Sequence, residues 1–217
     1  MGRNRWIGGT VLLCALGAVA SPALAQGGSC GSQWKTPPVG SWSEWQSGSQ
    51  TTRIAVVGTE KQADTTLYDI ELSSGNQGTM QLLVPAFPWN MDQVHQMIMQ
   101  RPGQPPMKMS GQMLAMMKSQ MPAKQGGMAD LARRCASMTV VGVETITVPA
   151  GTFKTTHLKD QGGEDVWASG DVPFAVVKHT GSTGVTVLSA TGKDAKSAIT
   201  GTPVEMQPGM MGPPPKN

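Results

Sequence analysis

A mainly β domain of the α+β class is the fold this sequence predicts: a curved antiparallel sheet or half-barrel with one or two helices on its concave side. Three observations lead there. Short runs rich in Val, Ile, Thr and Trp recur along most of the chain, separated by Gly, Pro, Asn and Lys. A helical period surfaces only between Ser110 and Arg134. Charged residues make up 14% of the chain, while glycine and proline number 27 and 16, a turn-rich balance that suits strands better than a helical bundle.

Taken in order, the chain opens with Arg3 and Arg5, an apolar run from Trp6 to Val19, and Ala23-Leu24-Ala25 after Pro22. This is the pattern of a removable secretory signal, with cleavage expected near Ala25 and a periplasmic or secreted product. Cys14 and Cys30 lack the small-residue context of a lipid-anchoring site, so the expected product is not a lipoprotein. Residues 26–38 are rich in Gly, Ser and Pro and read as a flexible lead-in. A single β-rich domain is expected over residues 39–201.

Its first strands are expected at Gly40–Trp45, Thr51–Val57, Thr66–Leu72 and Met80–Val84. Alternation in the third places Tyr68, Ile70 and Leu72 on a buried face and Asp69 and Glu71 toward solvent. Val94–Met99 and Met107–Met109 follow, interrupted by the prolines between Pro102 and Pro106. Met113, Met116, Met117 and Met121 then fall on one helical stripe, with Ser110 as N-cap and Pro122 as terminator. A second short helix is expected at Met128–Arg134. Strands return at Met138–Val148, Thr152–Leu158, Glu164–Trp167, Ala175–His179 and Gly184–Thr191, with Ser197–Thr200 as a last candidate. Pro149-Ala150-Gly151 makes a tight hairpin turn, because Pro149 fixes one dihedral and Gly151 tolerates positive φ. Residues 202–217 carry five prolines and are expected to be a disordered, Pro- and Met-rich tail.

Charge excludes some partners. Loss of the first 25 residues would remove two arginines and leave 15 basic against 14 acidic side chains, with no basic stripe for nucleic acid. No later apolar stretch approaches the ~20 residues of a membrane span, so no stable membrane insertion is expected. Cys30 and Cys135, an even pair in an exported chain, are expected to form a disulfide. In the chain-entropy model a loop of this length contributes up to about 4–5 kcal/mol.

Several segments together resemble a known group. Gly40-Ser41-Trp42 with Glu44-Trp45, Val57-Gly58, the run Val141 to Phe153 ending in Val-Pro-Ala-Gly-Thr-Phe, and Val166-Trp167-Ala168-Ser169 with Asp171-Val172-Pro173-Phe174 and Val177-Lys178 are its marks. They are similar to a group of uncharacterised exported bacterial proteins akin to the periplasmic lipoprotein-carrier superfamily. The resemblance spans roughly residues 38–200. It implies a strongly curved antiparallel sheet closed by helices over an apolar cup, and it implies no catalytic residue.

Ten methionines fall between Met91 and Met128, where average usage gives about one. Four readings of them stay open. They are flexible core filler, or a soft lining for an apolar ligand through Met97, Met99, Met109, Met113, Met116 and Met117. Alternatively they capture Cu(I) through His95, Met97, Met99, Met107 and Met109, with Met206, Met210 and Met211 added by the tail, since neutral thioethers suit a soft monovalent ion, or they act as sacrificial oxidation targets. Catalytic patterns are wanting: there is no H-E-x-x-H, no G-x-S-x-G and no phosphate loop, and His95, His157 and His179 are scattered. Glu164-Asp165 points to opposite strand faces, toward solvent. Trp42, Trp45, Trp89 and Trp167 are expected in the core or at its rim, with a carbohydrate platform as the alternative.

The expected function is therefore a non-catalytic, exported binding or carrier module for a lipid or other apolar small molecule, with no cofactor. A Cu(I)-binding protein and a structural envelope scaffold are the alternatives.

Overall fold

The computed structural model describes residues 34–120, 134, 137–182 and 184–206. The expected signal peptide, Cys30, Cys135, Met121, Met128 and most of the expected second helix lie outside the described residues.

Two meanders build one sheet. β1 (Trp42–Ser47), β2 (Gln50–Gln62), β3 (Thr65–Ser74), β4 (Thr79–Val84), β5 (Gln96–Gln100) and β6 (Met107–Ser110) run antiparallel, each beside the next. The helix α1 (Gly111–Gln120) leaves β6 directly. β7 (Thr139–Val148), β8 (Gly151–Lys159), β9 (Asp165–Ala168), β10 (Val176–Gly181) and β11 (Gly184–Gly192) form the second meander. β11 then pairs with β1, and β12 (Val204–Glu205) lies parallel to β6. The result is an open sheet of twelve strands with β12 at one edge and β7 at the other. The expected mainly β architecture is thus present, with α1 as the α-helix among the described residues.

One face carries the main core. Ile54, Val56, Ile70, Leu82, Val84, Met97 and Met109 from the first meander join Leu158, Val166, Ala168 and Leu188 from the second. Between them sits an aromatic cluster contributed by loops. Phe87 packs edge-on against Trp89 (ring centroids 5.8 Å apart) and Phe174 (5.2 Å), and it lies 6.0 Å from Trp34. Trp45 reaches Phe174 at 6.4 Å. Such pairs add roughly 1 kcal/mol each beyond their burial. Phe174 and Ala175 adopt positive φ (63° and 61°), an unfavourable conformation for side chains of this kind. It is held by Ala175 N–H donating to Val172 O, by Ser43 Oγ donating to Pro173 O, and by near-complete burial of the Phe174 ring.

The lead-in and the tail are more structured than composition suggested. Trp34 is buried, and Thr36 Oγ1 accepts from Phe87 N–H, so residues 34–38 pack onto the domain. Residues 202–206 include β12, whose Glu205 carboxylate pairs with Lys108 at 3.0 Å. Composition weighed against a core-forming tail, but a short strand needs only an edge to pair with, and β6 supplies one. Residues 207–217 lie outside the described residues.

Ser197–Thr200 is not a strand. After β11, residues 193–201 cross the opposite face of the sheet as a strap that ends at β12. Ala195 N–H donates to Gly40 O, Ser197 Oγ and Ala198 N–H donate to the Glu71 carboxylate, and Thr200 N–H donates to Gln100 Oε1. The strap corrects the expected facing of β3. Ile70 is buried as expected, yet Glu71 is only 3% exposed. Ala55, Leu67, Leu83 and Ile98 are also buried on this second face, outside the main cluster. Asp69 is half-buried there beside the β2 irregularity between Val56 and Gly58. A Cβ at Gly58 would stand 2.8 Å from Asp69 Oδ2, so only glycine leaves the carboxyl room.

Two outcomes test this arrangement. Glu71→Ala removes the acceptor of the strap's hydrogen bonds and is expected to cost about 2–3 kcal/mol. Hydrogen exchange at Ala198 should accelerate selectively; an unchanged rate would show that the strap is held elsewhere. Burial, reinforced by repulsion from Glu60, pushes the Asp69 carboxyl up to about 6. A raised folded-state pKa favours the protonated form, so stability falls as pH rises from the ordinary carboxyl range through 6. Asp69→Asn should therefore stabilise the protein at pH 7.5 by roughly 1 kcal/mol, after water's screening of a half-exposed group. Urea melts at pH 7.5 and pH 4 should show that gain shrinking at the lower pH.

Candidate functional site

The strand register sorts the methionines into two rows on the main-core face. In one row Leu82 of β4, Met97 of β5 and Met109 of β6 are direct cross-strand partners. In the next, two residues along each strand, Leu72 of β3, Met80, Met99 and Met107 stand side by side. The inner row is core: Met97 and Met109 are 2% and 3% exposed. The outer row lies at the sheet's rim, where Met99 is 37% exposed and Met80 and Met107 are partly covered.

The helix divides its methionines differently from the expected stripe. Met113 and Leu114 are buried, Met117 packs partly against the core, and Met116 is exposed. Ser110 does not cap α1; its hydroxyl donates to Glu205 Oε1, and Gly111 makes the entry turn at a φ of 51°. The far end is anchored by Lys118 Nζ, which donates to Val94 O at 2.7 Å and Asp92 O at 3.1 Å. Partial burial holds the Lys118 ammonium below its ordinary range, against the opposing pull of Asp92. These anchors set the helix rotation, so Leu114 takes the place that periodicity gave Met116.

Two pockets open beside the outer row. One, of about 350 Å³, includes Leu72, Met80, Met99 and Arg101 in its wall. The other, of about 550 Å³, is walled by Met99, Arg101, Met107 and Met206 with Pro102, Gln104 and Pro105. Met99 and Arg101 belong to both. Among the described residues no carboxylate pairs with Arg101. Met99 is the one of the six expected ligand-binding methionines that lines these two pockets. Of the expected metal set, Met99 and Met107 share the larger pocket, Met97 and Met109 are core, and His95 is exposed and lines neither.

Sequence reasoning missed Arg101, Leu72 and Met80 as members of this surface, and it offered Met206 as a thioether of the tail without placing it beside Met107. A signal for Met206 existed: Val204-Glu205-Met206 matches Met107-Lys108-Met109 in length and opposes its charge.

Two of the histidines, His157 and His179, are not simply solvated. On one face of the second meander His157 Nε2 lies 2.8 Å from Asp165 and its Nδ1 3.4 Å from Glu144. The hydrogen bond with His157 holds the Asp165 carboxyl below its ordinary range. The His157 ring stacks on Trp167 at 4.4 Å, Lys178 Nζ lies 4.5 Å from the same indole, and Trp167 Nε1 donates to Glu144. Those neighbours leave the indole a structural element of a cross-strand ladder rather than an open sugar platform. Glu164 pairs with His179 at 3.2 Å and with Arg134, which also approaches Asp160 at 3.6 Å. Both members of Glu164-Asp165 are thus engaged in ion pairs, contrary to the expectation of solvent. Cross-strand pairing between β8, β9 and β10 brought these distant residues together. Among the described residues no group of three His, Cys, Asp or Glu side chains is arranged to hold a metal ion, and no helix is long and apolar enough to cross a membrane.

Comparison with known proteins finds no family model that matches the chain and no curated relative.

The division between core and rim methionines has a direct consequence. Met113→Ala is expected to destabilise the fold by about 2–5 kcal/mol, whereas Met116→Ala should change stability by less than about 0.5 kcal/mol. Equal effects in denaturant melts would refute the assigned helix rotation.

Proposed function

We propose that this protein is an exported, non-catalytic binding or carrier module for an apolar ligand with an anionic head, such as an acyl chain ending in a carboxylate or phosphate. The observation that carries this reading is that Arg101 and Met99 line both pockets, one walled also by Leu72 and Met80 and the other by Met107, all of one cross-strand row. Unbranched thioether side chains adapt to an irregular chain, and the Arg101 guanidinium at the rim, with no carboxylate partner among the described residues, supplies a fork for an anionic oxygen pair. The pocket volumes lie in the range typical of small-molecule sites.

The sheet, in this reading, curves around α1, with the helix on its concave side and the methionine rim at the mouth. The Val-Pro-Ala-Gly-Thr-Phe hairpin and its companion segments support this reading by their likeness to the lipoprotein-carrier superfamily. The Arg3–Ala25 pattern supports export, and Cys30–Cys135 a disulfide formed there.

Displacement of a fluorescent fatty-acid probe tests the proposal. A long-chain fatty acid should bind the wild-type protein more tightly than the fatty alcohol of equal length. Arg101→Gln should weaken the acid about tenfold or more, corresponding to the loss of a charge-assisted pair, and leave the alcohol unchanged. If neither compound binds saturably, the carrier reading fails.

A further inference from the structure

The outer methionine row contains an arrangement that neither packing nor acyl binding requires. Core filling accounts for Met97, Met109 and Met113, which are buried. It does not account for Met99, which is 37% exposed, or for the thioethers of β5, β6 and the residue after β12 around one pocket. Met99 of β5 and Met107 of β6 are direct antiparallel partners, which sets their Cβ atoms about 5 Å apart. β12 runs parallel to β6 and brings up Met206, whose N–H donates to Lys108 O at 2.8 Å. A methionine sulfur stands two bonds beyond Cβ on freely rotating torsions, so three such side chains can close on a single point in the space between them.

We propose that Met99, Met107 and Met206 form a thioether site for a soft monovalent metal ion, Cu(I), at the sheet edge.

The chemistry of the wall favours that ion. Among the described residues Arg101 and Gln104 are its remaining polar side chains, and these supply no carboxylate, imidazole or thiolate for a hard or borderline divalent cation. Thioether sulfur carries no charge and no proton, so its affinity is independent of pH near neutrality and rests on softness alone. The positive Arg101 makes the pocket unattractive to simple cations, which sharpens the preference for an ion bound by covalency. Met80, the cross-strand neighbour of Met99, stands behind the trio as a fourth sulfur. The ion enters and leaves as Cu(I), so binding involves no electron transfer.

The test is anaerobic competition for Cu(I), kept reduced with ascorbate, between the full chain and a chromophoric Cu(I) chelator. One Cu(I) per chain should be retained by the wild type at chelator concentrations that strip the Met99→Leu/Met107→Leu double variant. The expected drop in affinity is at least tenfold. Met116→Leu, His95→Ala and Met210→Leu/Met211→Leu should bind as the wild type does. Should the double variant not fold, Met206→Leu alone, just beyond the two-residue β12, must show the loss. Equal stripping of the wild type and the folded rim variants overturns the proposal, as does displacement of Cu(I) by an equal concentration of Zn(II). Fatty-acid binding separates this site from the carrier reading. Arg101→Gln should weaken the fatty acid yet keep Cu(I), so failure of the carrier reading and failure of the metal site are distinguishable.

Discussion

One strand pair, β1 with β11, turns two meanders into a single sheet, and the remaining structure depends on it. Each meander taken alone would leave a long unpaired strand at its end, an exposed template for aggregation. Trp42 to Ser47 pairs instead with Thr186 to Gly192, across an irregularity between Glu44 and Trp45. The seam is fastened from several sides. Trp45 Nε1 donates to Val176 O, Ser189 Oγ donates to Glu44 O, and the Trp45 ring meets Phe174. Because Phe174 also touches Phe87, the loops after β4 and β9 meet across the seam in one apolar cluster. The Gly-x-Trp-x-Glu-Trp opening and the Val-Pro-Phe turn, remote in sequence, are thus two halves of a single joint.

Placement of β11 in the middle of the sheet forces the chain to travel. To reach the free edge at β6 it must cross five intervening strands, and residues 193–201 do so over the face opposite the core. That path explains a buried Glu71 in a strand whose alternation assigned it to water. It also explains why β12 is parallel to β6, the one parallel pairing among the described residues. The opposite edge is handled otherwise. β7 leaves Val140, Val141 and Val143 exposed, and its register with β8 is broken between Val140 and Gly142, an irregularity of the kind that spoils flat edge pairing.

The methionine segment owes its division of labour to position in this sheet. Residues two apart on β5, Met97 and Met99, share a face, but one row lies under α1 and the aromatic loops and the next lies at the rim. The same side chain therefore packs in one place and stays available in the other. Arg101, just beyond β5, and Met206, just beyond β12, join the rim because both strands end there.

Alternation and turn chemistry by themselves determined most of the strands, since a period of two and a Pro-Ala-Gly turn are local properties of backbone and side chain. They also determined that Ile70 and Met113 are buried and that a helix follows Ser110. Only the tertiary structure decided the facing of Glu71, the rotation of α1, the ordering of residues 202–206 and the meeting of His157 with Asp165 and Trp167. Each of these depends on a second segment far away in the chain that covers a face, accepts a hydrogen bond or supplies an edge. A local pattern records how a segment is amphipathic, and the partner that exploits its other side is written elsewhere.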